Sequence, residues 1–237
     1  MRGDSMKARW RRGFWALLLA AVIPVSVSAQ NGGSKTLEEW SSRLDECRAL
    51  VASGEWKKAR RLAETLLGQM TRKSRPEDEM VDLLAGTVAM RGIAEAGLGN
   101  ERDARWDWSV AGSLSPGSIV GDLGATGDVG AILAAPETAP APRVDTRPEV
   151  RRGEYPPYPR TRKASCLESA VVVEAVVNRE GLLEAPRLEN GADVVLSFAA
   201  MDALRHWEFV PAQLNGEAVP AVYSIWIMYD LPLCEAP

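Results

Sequence analysis

A single histidine and three cysteines are all the imidazole and thiol that this 237-residue chain carries. His206, Cys47, Cys166 and Cys234 are too few and too widely spaced for a zinc ribbon, and no second ligand accompanies the histidine. The sequence therefore calls for no metal and no cofactor. A basic surplus is also missing: 28 Lys and Arg stand against 32 Asp and Glu, a formal net charge of -4. Without the positive footprint that phosphate backbones select, nucleic acid is set aside as a partner. Long apolar runs are scarce too. The stretch from Phe14 to about Val25 spans about a dozen residues, where a membrane-crossing helix takes ~20. It follows the basic start "MKARWRR" and precedes small residues at Val27 and Ala29. That is the pattern of an export signal over residues 1–29, cut after Ala29, which places the mature chain in the periplasm. An uncut segment anchored in the inner membrane and facing the periplasm is the competing reading.

From Thr36 to about Leu114 proline occurs only at Pro76, and Leu, Ala, Glu and Arg dominate. This predicts a helical domain over 36–116. Leu44, Cys47, Leu50 and Val51 share one helical face. After a break at Gly54, Trp56, Ala59, Ala63, Leu66 and Leu67 form a second stripe. A second hairpin follows Pro76 and turns at Gly97 to Asn100. "GEWKKA" (54–59) echoes "GNERDA" (99–104), and Gly92, Ala104, Trp108, Ala111 and Pro116 show small-large-small-proline spacing. In these residues the region resembles a tetratricopeptide-type repeat. A plain four-helix unit is the alternative.

Residues 117–157 are rich first in Gly, then in Pro and Arg. They read as a linker, with Ala131 to Ala135 as a short apolar piece able to dock on a neighbour. Strand patterns begin after Tyr158-Pro159. Val171, Val173, Ala175 and Val177 alternate up to the turn "NREG". Leu182 to Leu188 returns as an edge strand marked by Pro186. Leu196, Ala200, Ala203, Leu204 and Trp207 recur at helical spacing. "AVPAVYSIWIMYDL" then predicts one long final strand entered from Gly216. In "HWEFVPAQLNG" the aromatics Trp207 and Phe209 pack inward and Pro211 stops the helix. His206 lies beside the packing face rather than on it. No nucleophile with an orienting partner surrounds it, so no catalytic residue is assigned and the chain reads as a non-enzyme.

Tyr158-Pro159, the Val171/Val173/Val177 strand closed by Gly181, the Leu196/Ala200/Ala203 helix, "HWEFVPA", Gly216 with Val219, and the strand through Tyr229 and Leu231 together resemble the C-terminal domain of the TonB family. The resemblance covers residues 158–235. Ser169 stands where that family usually has glycine, and Ala218 replaces a common proline. Taken whole, the fold class is α+β: antiparallel helical hairpins, then a small β-β-α-β antiparallel sheet carrying one helix, each half with its own apolar core.

The resemblance implies a partner recognised by strand addition, an extended segment of an outer-membrane TonB-dependent transporter or another envelope protein. The residues expected to meet it are Val222, Tyr223, Ser224, Ile225, Trp226 and Ile227, with Tyr158 and Pro159 nearby. A homodimer seam is the other use for the same strand. The helical domain is free to hold a second protein partner. A membrane-anchored TonB energy transducer, coupling proton motive force to outer-membrane transport, is the alternative function. It needs an anchor and a long spacer, and a linker of about 40 residues reaches at most ~140 Å. If the first and last strands are antiparallel neighbours, as the resemblance suggests, Cys166 and Cys234 form a disulfide and Cys47 stays reduced.

Overall fold

The computed structural model describes residues 28–73, 77–116, 128–133, 139–141, 143–164, 169–191 and 193–230. The molecule is α+β. Helices α1 (Ser28–Ala52), α2 (Trp56–Met70), α3 (Glu77–Gly97) and α4 (Glu101–Leu114) come first, followed by short α5 (Asp128–Leu133). Next come β1 (Glu149–Arg152), α6 (Arg160–Ala164), β2 (Ser169–Val177), β3 (Leu183–Asn190) and α7 (Val194–Leu204). The chain ends through β4 (Glu208–Val210), β5 (Ala212–Leu214), β6 (Glu217–Val219) and β7 (Ala221–Tyr229). Among the described residues no helix is long and apolar enough to cross a membrane. The export segment lies outside them up to residue 27.

Each helix of the first half buries the stripe its sequence spacing sets. Trp40, Leu44, Cys47 and Val51 of α1 meet Ala59, Ala63, Leu66, Leu67 and Met70 of α2, with α3 in the middle. The sequence echo is a geometric repeat. Gly54 and Gly99 both take left-handed φ, +74° and +83°, as helix C-caps. Glu55 donates its N–H to Leu50 O and Asn100 donates to Glu95 O, both at 2.9 Å. These are the same six-residue closures, and they satisfy carbonyls that a helix end otherwise leaves bare. At Gly92, an added Cβ would lie 3.0 Å from both Ala104 O and Asp107 Cβ, so hydrogen in place of a side chain lets α3 and α4 touch backbone to backbone. Of the apolar piece anticipated at 131–135, residues 131–133 end α5, whose Val129 and Leu133 are buried against α3 and α4, and residues 134–135 lie outside the described residues.

The sheet orders its strands β3-β2-β7, all antiparallel, and α7 packs across it. Asp193 caps α7 by accepting from Val195 N and Leu196 N at 2.9 Å each, and Arg162 pairs with the same carboxylate at 2.6 Å. Buried residues surround α7: Val194, Val195, Leu196, Phe198, Ala200, Met201 and Leu204. A helix apolar on every side needs cover on every side. The sheet supplies one face, and α3 and α4 supply the other. Trp106 Nε1 donates to Met201 O at 3.2 Å across that junction.

Three expectations are corrected. The two halves share one buried cluster instead of holding separate cores, because α7 is wedged between them. The 117–157 stretch is not all linker: residues 117–127 and 134–138 lie outside the described residues, but Glu149–Arg152 is a strand paired with β4. The final strand is two strands. Asn215 and Gly216, with φ of 53° and 81°, make the two-residue turn between β5 and β6, and Pro220, which has no N–H, separates β6 from β7.

Candidate functional site

β7 carries the candidate site. Its nine residues, AVYSIWIMY, contain no proline, glycine or charge, and they alternate strictly between core and surface. The inward set is Ala221, Tyr223, Ile225, Ile227 and Tyr229. Tyr223 meets the Phe209 ring at 5.4 Å, and Tyr229 donates its hydroxyl to Leu196 O at 3.1 Å. Burial, helped by Tyr158 and Asp193, raises the Tyr229 pKa, so this hydroxyl stays a donor. The outward set is Val222, Ser224, Trp226 and Met228; Val222, Trp226 and Met228 are exposed by 45%, 61% and 50%. Pairing with β2 runs unbroken from Ser169 opposite Tyr229 to Val177 opposite Ala221. On its other side β7 has no strand partner among the described residues. Next to its first half lies a groove of about 440 Å³, lined by Val144, Arg147, Pro148 and Ala221 to Ser224. An open row of backbone donors and acceptors, bordered by apolar side chains, can take up an extended chain.

The predicted contact residues divide by direction. Val222, Ser224 and Trp226 face outward, while Tyr223, Ile225 and Ile227 belong to the core face and offer the edge only their backbone. Tyr158 stands at the far end of the strand, its ring 5.3 Å from that of Tyr229. Pro159 lines a different depression, between α2 and α7. Met228 belongs to the outward set and escaped sequence reading, though its place two residues beyond Trp226 was the signal. His206 is exposed and accepts from Arg205 Nε at 3.2 Å. Trp207 is buried and donates to Glu154 O at 3.0 Å, Phe209 is buried, Pro211 follows β4, and Gly216 sits in the hairpin turn.

Sequence reading also missed a buried ion network that fixes the sheet half to the helices. Arg91 on α3 grips Asp107 on α4 with two bonds of 2.7 Å and reaches Asp202 on α7 at 2.8 Å. Arg205 adds contacts of 3.5 Å to Asp107 and 3.1 Å to Asp202. Burial opposes the Arg91 charge, but Asp107 and then Asp202 outweigh it and raise its pKa. Burial pushes the Asp107 carboxyl up against the pull of Arg91 and Arg205. The clue was Asp107 itself, a carboxylate set between Trp106 and Trp108. Among the described residues no three His, Cys, Asp or Glu side chains gather as a metal site. Cys47 is a buried thiol whose pKa burial pushes up to about 11. Cys166 and Cys234 lie outside the described residues.

No curated protein matches the chain. Among solved structures it is similar to the solution NMR structure of the Pseudomonas aeruginosa TonB CTD, with 18% identity, 38% of this chain and 93% of that one covered, and a TM-score of 0.34. Residues 154–231, from four residues before Tyr158 to two residues past β7, match the family described as Gram-negative bacterial TonB protein C-terminal.

Proposed function

We propose that the chain is a periplasmic protein-binding adaptor that takes an extended segment of an outer-membrane transporter, or of another envelope protein, as a fourth strand along β7. One observation carries this reading: among the described residues, nine uncharged, uninterrupted strand residues are paired on one side only, beside exposed Val222, Trp226 and Met228. Binding draws on backbone hydrogen bonds, with the outward side chains selecting modestly among sequences. The family match over residues 154–231 supports an envelope partner. Hydrogen exchange on the chain mixed with a transporter-derived peptide tests it. Slowed exchange at alternate β7 amides is expected; protection confined to other strands would refute strand addition. Slowed exchange without peptide, growing with protein concentration, would assign the edge to a second copy of the chain.

Pairing of Cys166 with Cys234 belongs to the same proposal. Support comes from the β2 to β7 register, in which Ser169 and Tyr229 are opposite each other, close in sequence to the two thiols. A bond closing this loop adds about 4 kcal/mol in the chain-entropy account. Non-reducing peptide mapping of exported protein should recover that crosslink and a reduced Cys47. A crosslink through Cys47, or free thiols at both other positions, would refute the pairing.

A further inference from the structure

The depression that Pro159 lines is a trough of about 730 Å³ between the helical half and the sheet half, separate from the β7 edge. Leu67 of α2, Phe198 and Ala203 of α7, and Tyr158 form its apolar part. Its charges are unevenly committed. Of its carboxylates, Asp202 is held by Arg91 and Arg205, and Glu64 pairs with Arg60 at 3.8 Å. Arg91 in turn is taken up by Asp107 and Asp202. Arg72 and Arg160 are exposed and have no carboxylate partner among the described residues. Among the described residues the trough therefore presents two guanidinium groups without a carboxylate partner over an apolar floor.

The backbone around it is fixed in advance. Pro157 and Pro159 hold φ in one wall, and Thr161 Oγ1 donates to Thr71 O at 3.4 Å, tying that wall to the end of α2. Gly68 lies inside α2, where glycine costs about 1 kcal/mol relative to alanine. A Cβ there would meet only the Arg72 side chain, at 3.2 Å, so packing within the protein does not call for the glycine. We infer that the trough binds a partner's peptide segment in which acidic residues alternate with apolar ones, the carboxylates reaching Arg72 and Arg160 and the apolar groups covering the half-buried Tyr158 and Ala203.

The probe is a capped, fluorescently labelled hexapeptide of alternating glutamate and leucine, titrated against the full chain at low ionic strength, with a lysine–leucine hexapeptide for comparison. The acidic peptide should bind and the basic one should not. The double variant Arg72→Glu/Arg160→Glu, whose sites are exposed, should keep the parent circular dichroism and lose roughly tenfold or more in affinity. Trp226→Lys, on the β7 edge, should leave this affinity unchanged, which separates the trough from the strand-addition site. No binding of the acidic peptide, equal binding of both peptides, or full affinity in the double variant would each overturn the inference.

Discussion

The two edges of the central sheet differ in every feature that governs whether an edge accepts another strand. β3 is broken by Ala185, at φ 49°, and Pro186, where its register with β2 shifts between Glu174 and Val176. It bears Glu184, Arg187 and Glu189, and α4 lies against it, with Ser113 donating to Pro186 O at 3.4 Å. β7 has no bulge, proline or charge, and Val144, Arg147 and Pro148 stand across a groove from its first half without pairing to it as a strand. Bulges, prolines, charges and covering helices are the usual means of blocking unwanted strand pairing. One sheet thus has all of them on one side, while among the described residues β7 has none of the four, and that difference leaves β7 as the edge whose backbone can accept another strand.

The largest effect should come from disrupting what holds the cover on β3. α4 is anchored to α7 through Asp107, so Asp107→Ala leaves buried Arg91 and part-buried Arg205 with only Asp202 between them. Removing one member of a buried ion network costs about 3–5 kcal/mol. Urea unfolding should report that loss. Hydrogen exchange should quicken at β3 more than at β7, making the two edges alike. A loss below about 1 kcal/mol would mean that packing alone holds α4 in place.

Next in size is Trp226→Lys, which gives the open edge one of the protections it lacks. The side chain is 61% exposed, so stability should change by no more than about 0.5 kcal/mol. Binding of a transporter-derived peptide should fall by roughly tenfold or more, since aromatic anchors dominate small interfaces. Unchanged affinity by isothermal titration would move the partner elsewhere.

Much of this arrangement is legible in the residues, and what is not has identifiable causes. Period-two alternation gave β2 and β7, and helical spacing gave α1 to α4 and α7. The glycine echo at 54 and 99 foretold two equal caps. Three-residue strands such as β4, β5 and β6 are too short for a period to register, and β1 was hidden in a stretch whose proline and arginine content resembles a linker. The union of the halves was signalled by α7, which is apolar around its whole circumference. Reading only Leu196, Ala200, Ala203, Leu204 and Trp207 as its stripe concealed the second face. For the site, alternation identified the strand, but only the strand order shows that β7 ends the sheet.

The smallest expected effect asks which protection of β3 matters. Arg187 lies across from Glu174 in the β2 register, and a cross-strand pair of opposite charge contributes roughly 0.2–1 kcal/mol. Arg187→Ser should cost that much in urea unfolding. The oligomeric state in sedimentation velocity should match the parent, because the bulge at Ala185-Pro186 and the contact with α4 remain. A strand that is bent and covered cannot offer a flat row of amides, whatever charge it carries. If Arg187→Ser instead produced dimers, charge would be the guard at β3. The uncharged β7 edge would then be expected to pair with its own copy before any partner.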